Sequence, residues 1–304
     1  MGIRRNGWRV RPGLYALGSP GPDSPVLASA NYRLSFDALR GALEGVDAYI
    51  LVLDTRGINV WCAAGKGNFS TGELASRIEK TGLPEVVTHR RVIAPQLCAT
   101  SVDARRVREL SGFKVDFGPV RARDLKDYLR TGEATEEMRT VRFDLKDRMV
   151  LAPVEAKGAF PALAAGAALA LIAGDAVAAG GILAAGAAGL AAFPALLPYL
   201  PPEDFSVKGF LLGSAVGLGA AWAALAENEG SSAASKLLRA ASYMAVLPTI
   251  TAFIGLNFTG CTTYSSPSSV RREIDTYVPV MALLASAGVA ANVASRVMRA
   301  PGER

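Results

Sequence analysis

The chain has 304 residues, half of them apolar, a formal net charge of +6 and a mean hydropathy of +0.25. Its basic residues are spread out and no groove-reading motif accompanies them, so nucleic acid is not expected as a partner; basic residues flanking membrane segments account for the excess. The three cysteines, Cys62, Cys98 and Cys261, are odd in number, widely spaced and without a CxxC pair, which argues against a disulfide framework or a self-built iron–sulfur cluster and fits a reducing compartment.

The average composition hides two unlike parts. Residues 1–155 mix apolar and polar positions as a soluble domain does, whereas from Gly158 to Pro202 the only charged residue is Asp175. Apolar runs of this kind approach the roughly 20 residues that cross a bilayer. The expectation is an α/β domain over 1–155 followed by an all-α transmembrane domain of about five helices over 156–304. The basic start, Met1 to Arg11, has no apolar h-region. The chain is therefore expected as a multi-pass protein of the cytoplasmic membrane, in contact with lipid, with its N-terminal domain in the cytoplasm.

In chain order, residues 12–25 are rich in Pro and Gly and read as loop, and Val26–Ala30 as a short strand. Ser35 is placed to cap a helix to about Leu43, with Phe36, Leu39 and Leu43 on one face. Ala48–Leu53 is a nearly continuous apolar run, as a buried parallel strand requires. Ser70 or Thr71 caps a helix over 73–80 that Gly82 stops; Arg91–Ala94 is a strand; Ser101 caps a helix through Leu110 that Gly112 stops. Phe113–Phe117 reads as a strand, Asp124–Leu129 as a helix and Val141–Leu145 as a final strand. The alternation predicts a doubly wound, Rossmann-like domain with a parallel sheet. In such sheets ligands bind beyond the C-terminal strand ends. Three loops meet on that rim: 59–66, 96–102 and 118–121.

The second part offers candidate spans near 159–175, 178–199, 207–226, 238–257 and 277–297, the first two joined tightly enough for a hairpin. Gly209, Gly213 and Gly217 form a tandem GxxxG pattern, which lets helices approach closely in lipid but also arises by chance in Ala/Gly-rich segments. Asp175 is a candidate functional intramembrane charge; its place near the end of a span favours a solvated loop. With few polar positions along the spans, they read as an anchor rather than a transport path.

The chemistry concentrates in Asn59-Val60-Trp61-Cys62-Ala63-Ala64-Gly65-Lys66, between a strand and a helix. A cysteine at a helix start sees the positive end of the helix dipole, and Lys66 adds positive potential. Ala63, Ala64 and Gly65 leave the backbone uncovered, so a planar macrocycle can lie close; Val60 and Trp61 wall the rim and Asn59 caps the turn. The alternative is an inert, small core cysteine. A nucleotide loop is disfavoured: Gly65-Lys-Gly67 lacks the third glycine of a dinucleotide fingerprint, and Lys66 is followed by Gly67 rather than Ser or Thr.

The octapeptide resembles the cap-helix motif of the mercury-methylating corrinoid protein family. The likeness continues in Pro12-Gly-Leu-Tyr-Ala, Ser24-Pro-Val-Leu, Ala30-Asn-Tyr-Arg-Leu-Ser-Phe-Asp, Ser111-Gly-Phe-Lys-Val, Gly118-Pro-Val-Arg-Ala-Arg-Asp, Asp147-Arg-Met-Val-Leu-Ala-Pro-Val-Glu155 and Leu256-Asn-Phe-Thr-Gly-Cys-Thr-Thr-Tyr264. It thus covers nearly the whole chain. The resemblance implies a corrinoid-binding domain similar to that of the corrinoid iron–sulfur protein of acetyl-CoA synthesis. It implies a base-off cobamide with Cys62 as the lower cobalt ligand and a methyl group on the upper face that passes to Hg(II). The cofactor-binding set would be Asn59, Val60, Trp61, Cys62, Ala63, Ala64, Gly65, Lys66, Thr100, Ser101, Val102, Gly118, Pro119 and Val120. A sulfur ligand opposite the methyl group would donate electron density to cobalt. A ferredoxin-like partner with two [4Fe–4S] clusters would supply electrons, and a methyltetrahydrofolate-type donor, through a separate methyltransferase, the methyl group. The activity implied is a cobamide-dependent mercury methyltransferase; the alternative is a membrane-anchored corrinoid methyl carrier of one-carbon metabolism with a non-mercury acceptor.

The chain departs from the family over Leu97-Cys-Ala-Thr-Ser-Val102, where a stretch bearing glycine and proline is expected. Cys98 reads as a buried replacement for glycine, or as a second thiol near the corrinoid. His89, the lone histidine, reads as a solvated or structural residue rather than as a cobalt ligand, and Cys261 as a residue of a loop by the membrane rather than one that handles mercury.

Overall fold

The computed structural model describes residues 8–227 and 232–298. They divide into two compact units between Arg142 and Phe143.

In the first unit the strands are β1 (Gly13–Leu17), β2 (Val26–Ala30), β3 (Ala48–Leu53), β4 (Arg91–Ala94) and β5 (Lys114–Phe117). The helices are α1 (Arg33–Ala42), α2 (Val60–Gly65), α3 (Thr71–Lys80), α4 (Leu83–Val86), α5 (Ala104–Ser111), α6 (Leu125–Thr131) and α7 (Glu136–Arg139). The five strands form one sheet in the order β1-β3-β2-β4-β5. β3, β2, β4 and β5 run parallel, and β1 joins the β3 edge antiparallel. The sheet is therefore mixed, not wholly parallel, and the 12–25 segment expected as loop contains its edge strand. Pro12 and Gly18 bracket that strand, Gly13 opens it, and together they mask it as a turn region.

Side-chain alternation splits the core between the two sheet faces. Val26, Ala28, Ala30, Leu51, Leu53, Val92, Ala94 and Val115 face one way and pack with Ala63, Ala64, Leu74, Ile78 and Val107 of α2, α3 and α5. Leu27, Ile50 and Val52 face the other way and pack with Phe36 and Leu39 of α1 and with Leu125 and Tyr128 of α6. The result is a three-layer helix–sheet–helix unit.

Three local expectations are overturned. α1 starts at Arg33 rather than at Ser35, because the Arg33 N–H donates to the Trp8 carbonyl (3.3 Å), so the incoming chain satisfies the helix start without a side-chain cap. α5 is capped by Asp103, which accepts from the Arg106 N–H (3.0 Å); the Ser101 hydroxyl is instead donated to the Phe69 carbonyl (2.6 Å). Residues 141–145 form no strand: Phe143 has φ 48°, outside the extended range, and Asp144 caps a helix by accepting from the Asp147 N–H (3.0 Å).

The second unit contains α8 (Leu145–Met149), α9 (Ala152–Ile172), α10 (Ala176–Ala187), a π-helical turn over Ala188–Ala192, α11 (Phe193–Leu196), α12 (Phe205–Ala226), α13 (Ala233–Phe258) and α14 (Pro267–Val297). Five stretches are long and apolar enough to cross a membrane: Leu145–Ile172, Ala176–Tyr199, Phe205–Ala226, Ala233–Phe258 and Ser268–Val297. The GxxxG face is a packing surface: a Cβ on Gly209 would lie 2.5 Å from Ala252 Cα, and one on Gly213 would lie 2.7 Å from Pro248 Cα. Only residues without side chains let α12 and α13 come this close.

Asp175 is not solvated. It is 3% exposed and caps α10, accepting from the Ala178 N–H (2.9 Å), the Tyr243 hydroxyl (2.6 Å) and Asn292 Nδ2 (3.2 Å), with Arg296 Nη2 at 3.2 Å and Arg239 Nη2 at 3.7 Å. The α9–α10 turn folds against α13 and α14, and a buried carboxylate persists there because it is paired and hydrogen-bonded. Glu273 does similar work on α12, accepting from the Phe205 and Ser206 N–H groups (3.1 and 2.9 Å).

Candidate functional site

The site follows from a flaw in the sheet. β2 pairs with β3 through five registered residue pairs but with β4 only through Leu27 opposite Ile93. Here the chain, having placed β3 on one side of β2, crosses to place β4 on the other. Beyond that single pair the two strands part, and a crevice opens at their C-terminal ends, as it does at the reversal point of doubly wound sheets. A hollow of about 370 Å³ fills it. Its floor is Ala28, Ser29 and Ala94, one wall is Ala38, Leu39 and Leu125, and the opposite lip is Asn59, Val60 and Trp61. Gly118, Pro119 and Val120 close one side. A Cβ on Gly118 would come within 2.9 Å of Ile93 Cγ2, so a side chain there would press into this wall.

The octapeptide forms α2, with Asn59 as its N-cap: Asn59 Oδ1 accepts the Cys62 N–H at 2.8 Å. Helical spacing sorts its residues. Val60, Ala63 and Ala64 are 8%, 0% and 7% exposed and turn into the core. Trp61, Gly65 and Lys66 are exposed and Cys62 is a partly exposed free thiol. Ala63 and Ala64 thus do not form an uncovered seat; their smallness lets α2 press onto β2 and the 96–98 turn. The outer surface belongs to Cys62, Gly65 and Lys66, and a Cβ on Gly65 would meet nothing within 4 Å. With six residues, α2 is too short for its dipole to make a site; what distinguishes it is a partly exposed free thiol.

The third expected loop contributes differently. Thr100 is exposed, Ser101 ties its hydroxyl to the Phe69 carbonyl, and Val102 is 4% exposed in the core, so none of the three lines the hollow. They buttress the chain where it leaves α2. Cys98 is fully buried, donates to the Pro95 carbonyl (3.0 Å), and burial pushes its thiol up to about 12. It is a core residue, not a second thiol at the rim. His89 Nε2 lies 2.9 Å from the Ser24 carbonyl and its Nδ1 accepts from the Arg91 N–H (3.3 Å), just before β4 and at the end of the sheet away from α2. Beside it, burial alone would raise the Asp116 pKa, but hydrogen bonds from Lys114 and Arg91 outweigh burial and hold its carboxyl below the usual range. The side chain of Cys261 lies outside the described residues.

Leu97 of the expected 96–102 loop lines the hollow, whereas sequence reasoning missed Ser29, Ala38, Leu39, Ala122 and Leu125. Nothing in their local pattern separates them from core residues; they face the hollow only because β2 and β4 part. A larger cavity, about 740 Å³, lies within the helical unit, with apolar walls from α9, α10, α13 and α14. It contains none of the octapeptide. No group of three or more His, Cys, Asp or Glu side chains gathers among the described residues, so Cys62 stands as a single soft donor.

Comparison with known proteins reaches the same part of the chain. Residues 4–129 match the family model described as CO dehydrogenase/acetyl-CoA synthase delta subunit. The gamma subunit of the acetyl-CoA decarbonylase/synthase complex of Archaeoglobus fulgidus is 33% identical over 123 residues, 40% of this chain and 26% of that protein. The Methanopyrus kandleri gamma subunit is 32% identical over 123 residues, again 40% and 26%. The corrinoid/iron-sulfur protein large subunit of Moorella thermoacetica is 29% identical over 129 residues, 42% of this chain and 28% of that protein. The chain therefore spans about a quarter of the length of the curated relatives it matches. The α/β unit is thus similar to a domain of the delta-subunit family, to the corrinoid/iron-sulfur protein large subunit and to the decarbonylase/synthase gamma subunits.

Proposed function

We propose that this chain is a membrane-anchored, corrinoid-dependent methyl-transfer protein in which Cys62 is the lower axial ligand of a base-off cobamide. The observation that carries the proposal is a partly exposed thiol on the outer face of a capped helix that borders the crossover hollow. The residues present fit such a group: a soft donor, an open helix face at Gly65, and an apolar recess beside it. When bound, a cobamide supplies a cobalt–carbon bond whose methyl group is handed to an acceptor. Within the chain, Asn59 holds the first turn of α2 so that Cys62 keeps one orientation. Val60, Ala63 and Ala64 anchor that turn in the core. Trp61, 39% exposed at the lip, covers the recess against water, with Pro119 and Val120 opposite.

The acceptor we assign is Hg(II), giving methylmercury, with electrons from a ferredoxin-like protein carrying two [4Fe–4S] clusters and the methyl group from a methyltetrahydrofolate-type donor through a methyltransferase. The octapeptide and the likeness along the whole chain support this reading. Similarity to subunits of acetyl-CoA decarbonylase/synthase favours the second reading, a one-carbon methyl carrier with a different acceptor. The test is the full chain loaded with methylated cobamide and offered Hg(II) or a low-molecular-weight thiol. Methylmercury formed by the parent and lost in Cys62→Ala supports the first reading. Transfer to the thiol alone supports the second. A Co(II) resonance spectrum identical in the parent and Cys62→Ala would overturn sulfur ligation and with it both readings of the site.

A further inference from the structure

Between β3 and α2 the chain runs Asp54-Thr-Arg-Gly-Ile58 and must turn back on itself to deliver Cys62 to the rim. Arg56 (φ 58°) and Gly57 (φ 76°) occupy the left-handed region in succession, and the Ile58 N–H donates to the Thr55 carbonyl (3.3 Å). Two consecutive positive φ values of this kind belong to a type I′ turn, which an arginine does not adopt by preference. Something outside the turn must hold it.

That hold is Asn31, the residue after β2. It is 3% exposed. Its Oδ1 accepts the Thr55 N–H (3.1 Å) and the Gly57 N–H (2.8 Å) and lies 2.9 Å from Thr55 Oγ1. Its Nδ2 donates to Asp54 Oδ1 (3.2 Å), which also accepts the Arg56 N–H (3.1 Å). Thr55, fully buried, continues the chain of contacts to the Ile58 carbonyl (2.8 Å), next to the cap residue Asn59. One amide side chain thus satisfies both faces of the turn, and buried N–H groups without it would have no acceptor.

We infer that Asn31 is the positioning residue for Cys62: by fixing the 54–58 turn to the end of β2, it sets where α2, whose first residues line the crossover hollow, starts and therefore how that helix presents the sulfur. This rests on the reading of Cys62 as a ligand, but the placement itself can be measured without any cofactor. Asn31 does not touch the ligand and acts only through the turn.

The experiment uses the full-length chain in detergent, free of cobamide, in a Cys261→Ser background so that Cys62 and the buried Cys98 are the two thiols followed. N-ethylmaleimide incorporation at each is timed by peptide mass spectrometry. Cys98 reports whether the fold is intact. Asn31→Ala is expected to raise the Cys62 rate about threefold or more, because a turn released from its acceptor lets the partly exposed thiol move farther into solvent, with Cys98 still protected. Asn31→Asp keeps the oxygen that serves Thr55 and Gly57 but sets a charge against Asp54; it is expected to raise the rate less, and pairing it with Asp54→Asn to bring the rate back down. A Cys62 rate in Asn31→Ala within twofold of the parent, with Cys98 protected, overturns the inference. If Asn31→Ala also exposes Cys98, the exposed Asp54→Ala decides: a rate raised several-fold supports the inference and an unchanged rate overturns it. Cobamide loading is then measured separately. Labelling as expected in a chain that binds no cobamide keeps the positioning role and removes the ligand reading; the reverse result does the opposite.

Discussion

Cys98 offers a direct check on the packing beneath the rim. It is 0% exposed in the core under α2, donates its proton to the Pro95 carbonyl at 3.0 Å, and burial lifts its thiol from 9.0 to about 12. The folded state therefore keeps this proton over a range in which the unfolded chain releases it. The associated stability is fully present below about pH 9 and is lost as pH rises toward 12, at about 1.4 kcal/mol per pH unit and on the order of 4 kcal/mol in all. The perturbation is pH, from 7 to 11.5, on the native full chain with iodoacetamide, and the assay is the alkylation rate of the Cys98 peptide. An ordinary thiol reacts faster with pH only until about pH 9 and then levels off. Cys98 reacts either as a rare native thiolate or after a local opening that itself grows with pH. Both routes give a rate that climbs about tenfold per unit beyond pH 9. At pH 8 its native thiolate fraction is on the order of a thousandth of that of a thiol at the ordinary value. A rate that levels off near pH 9, or Cys98 labelling as fast as Cys62 in the native chain, would refute both the burial and the assignment of Cys98 to the core.

Two substitutions, one of them with a control, probe the capping of α2 and the packing of α12. Asn59→Ala removes the acceptor of the Cys62 N–H, a cap loss of about 1 kcal/mol on a helix of six residues; hydrogen exchange at the Cys62 amide should quicken about fivefold while strands β2 and β3 keep their protection, and unchanged exchange would remove the cap from the account. Gly213→Ala forces a methyl group to 2.7 Å from Pro248 Cα and should lower the thermal stability of the detergent-solubilised chain by about 1–3 kcal/mol, whereas Gly219→Ala, with nothing within 4 Å of its new Cβ, should leave it unchanged; equal effects at the two positions would deny close packing of α12 on α13.

Much of this architecture could be read along the chain because its signals are local. Continuous apolar runs marked β2 and β3, and Ser70 and Gly112 marked helix ends through their own backbone preferences. Length and hydropathy alone located five membrane-competent stretches. The cysteine with its capping asparagine stood out for the same reason: Asn59 and Cys62 are three residues apart and interact within one turn.

What failed to show locally was decided by contacts distant in sequence. β1 is a strand because the edge of β3 was open to it, not because of its own composition. Ser35 lost its capping role to the distant Trp8 carbonyl, and the Ser101 hydroxyl is drawn off to the Phe69 carbonyl, leaving Asp103 to cap α5. Asp175 became a buried hub because Tyr243, Asn292 and Arg296 reach it across the helical unit. The hollow exists because β2 and β4 part beyond a single residue pair, which turns Ala38 and Leu39 from core positions into a wall. The amino-acid sequence by itself determined which residue carries the soft donor and which helix presents it, since capping and helical spacing act over a few residues. Only the tertiary structure decided which side of that helix faces outward, what lies beside it, and that Asn31, far off in the chain, holds the turn that aims it; those depend on surfaces brought together by the packing of the sheet.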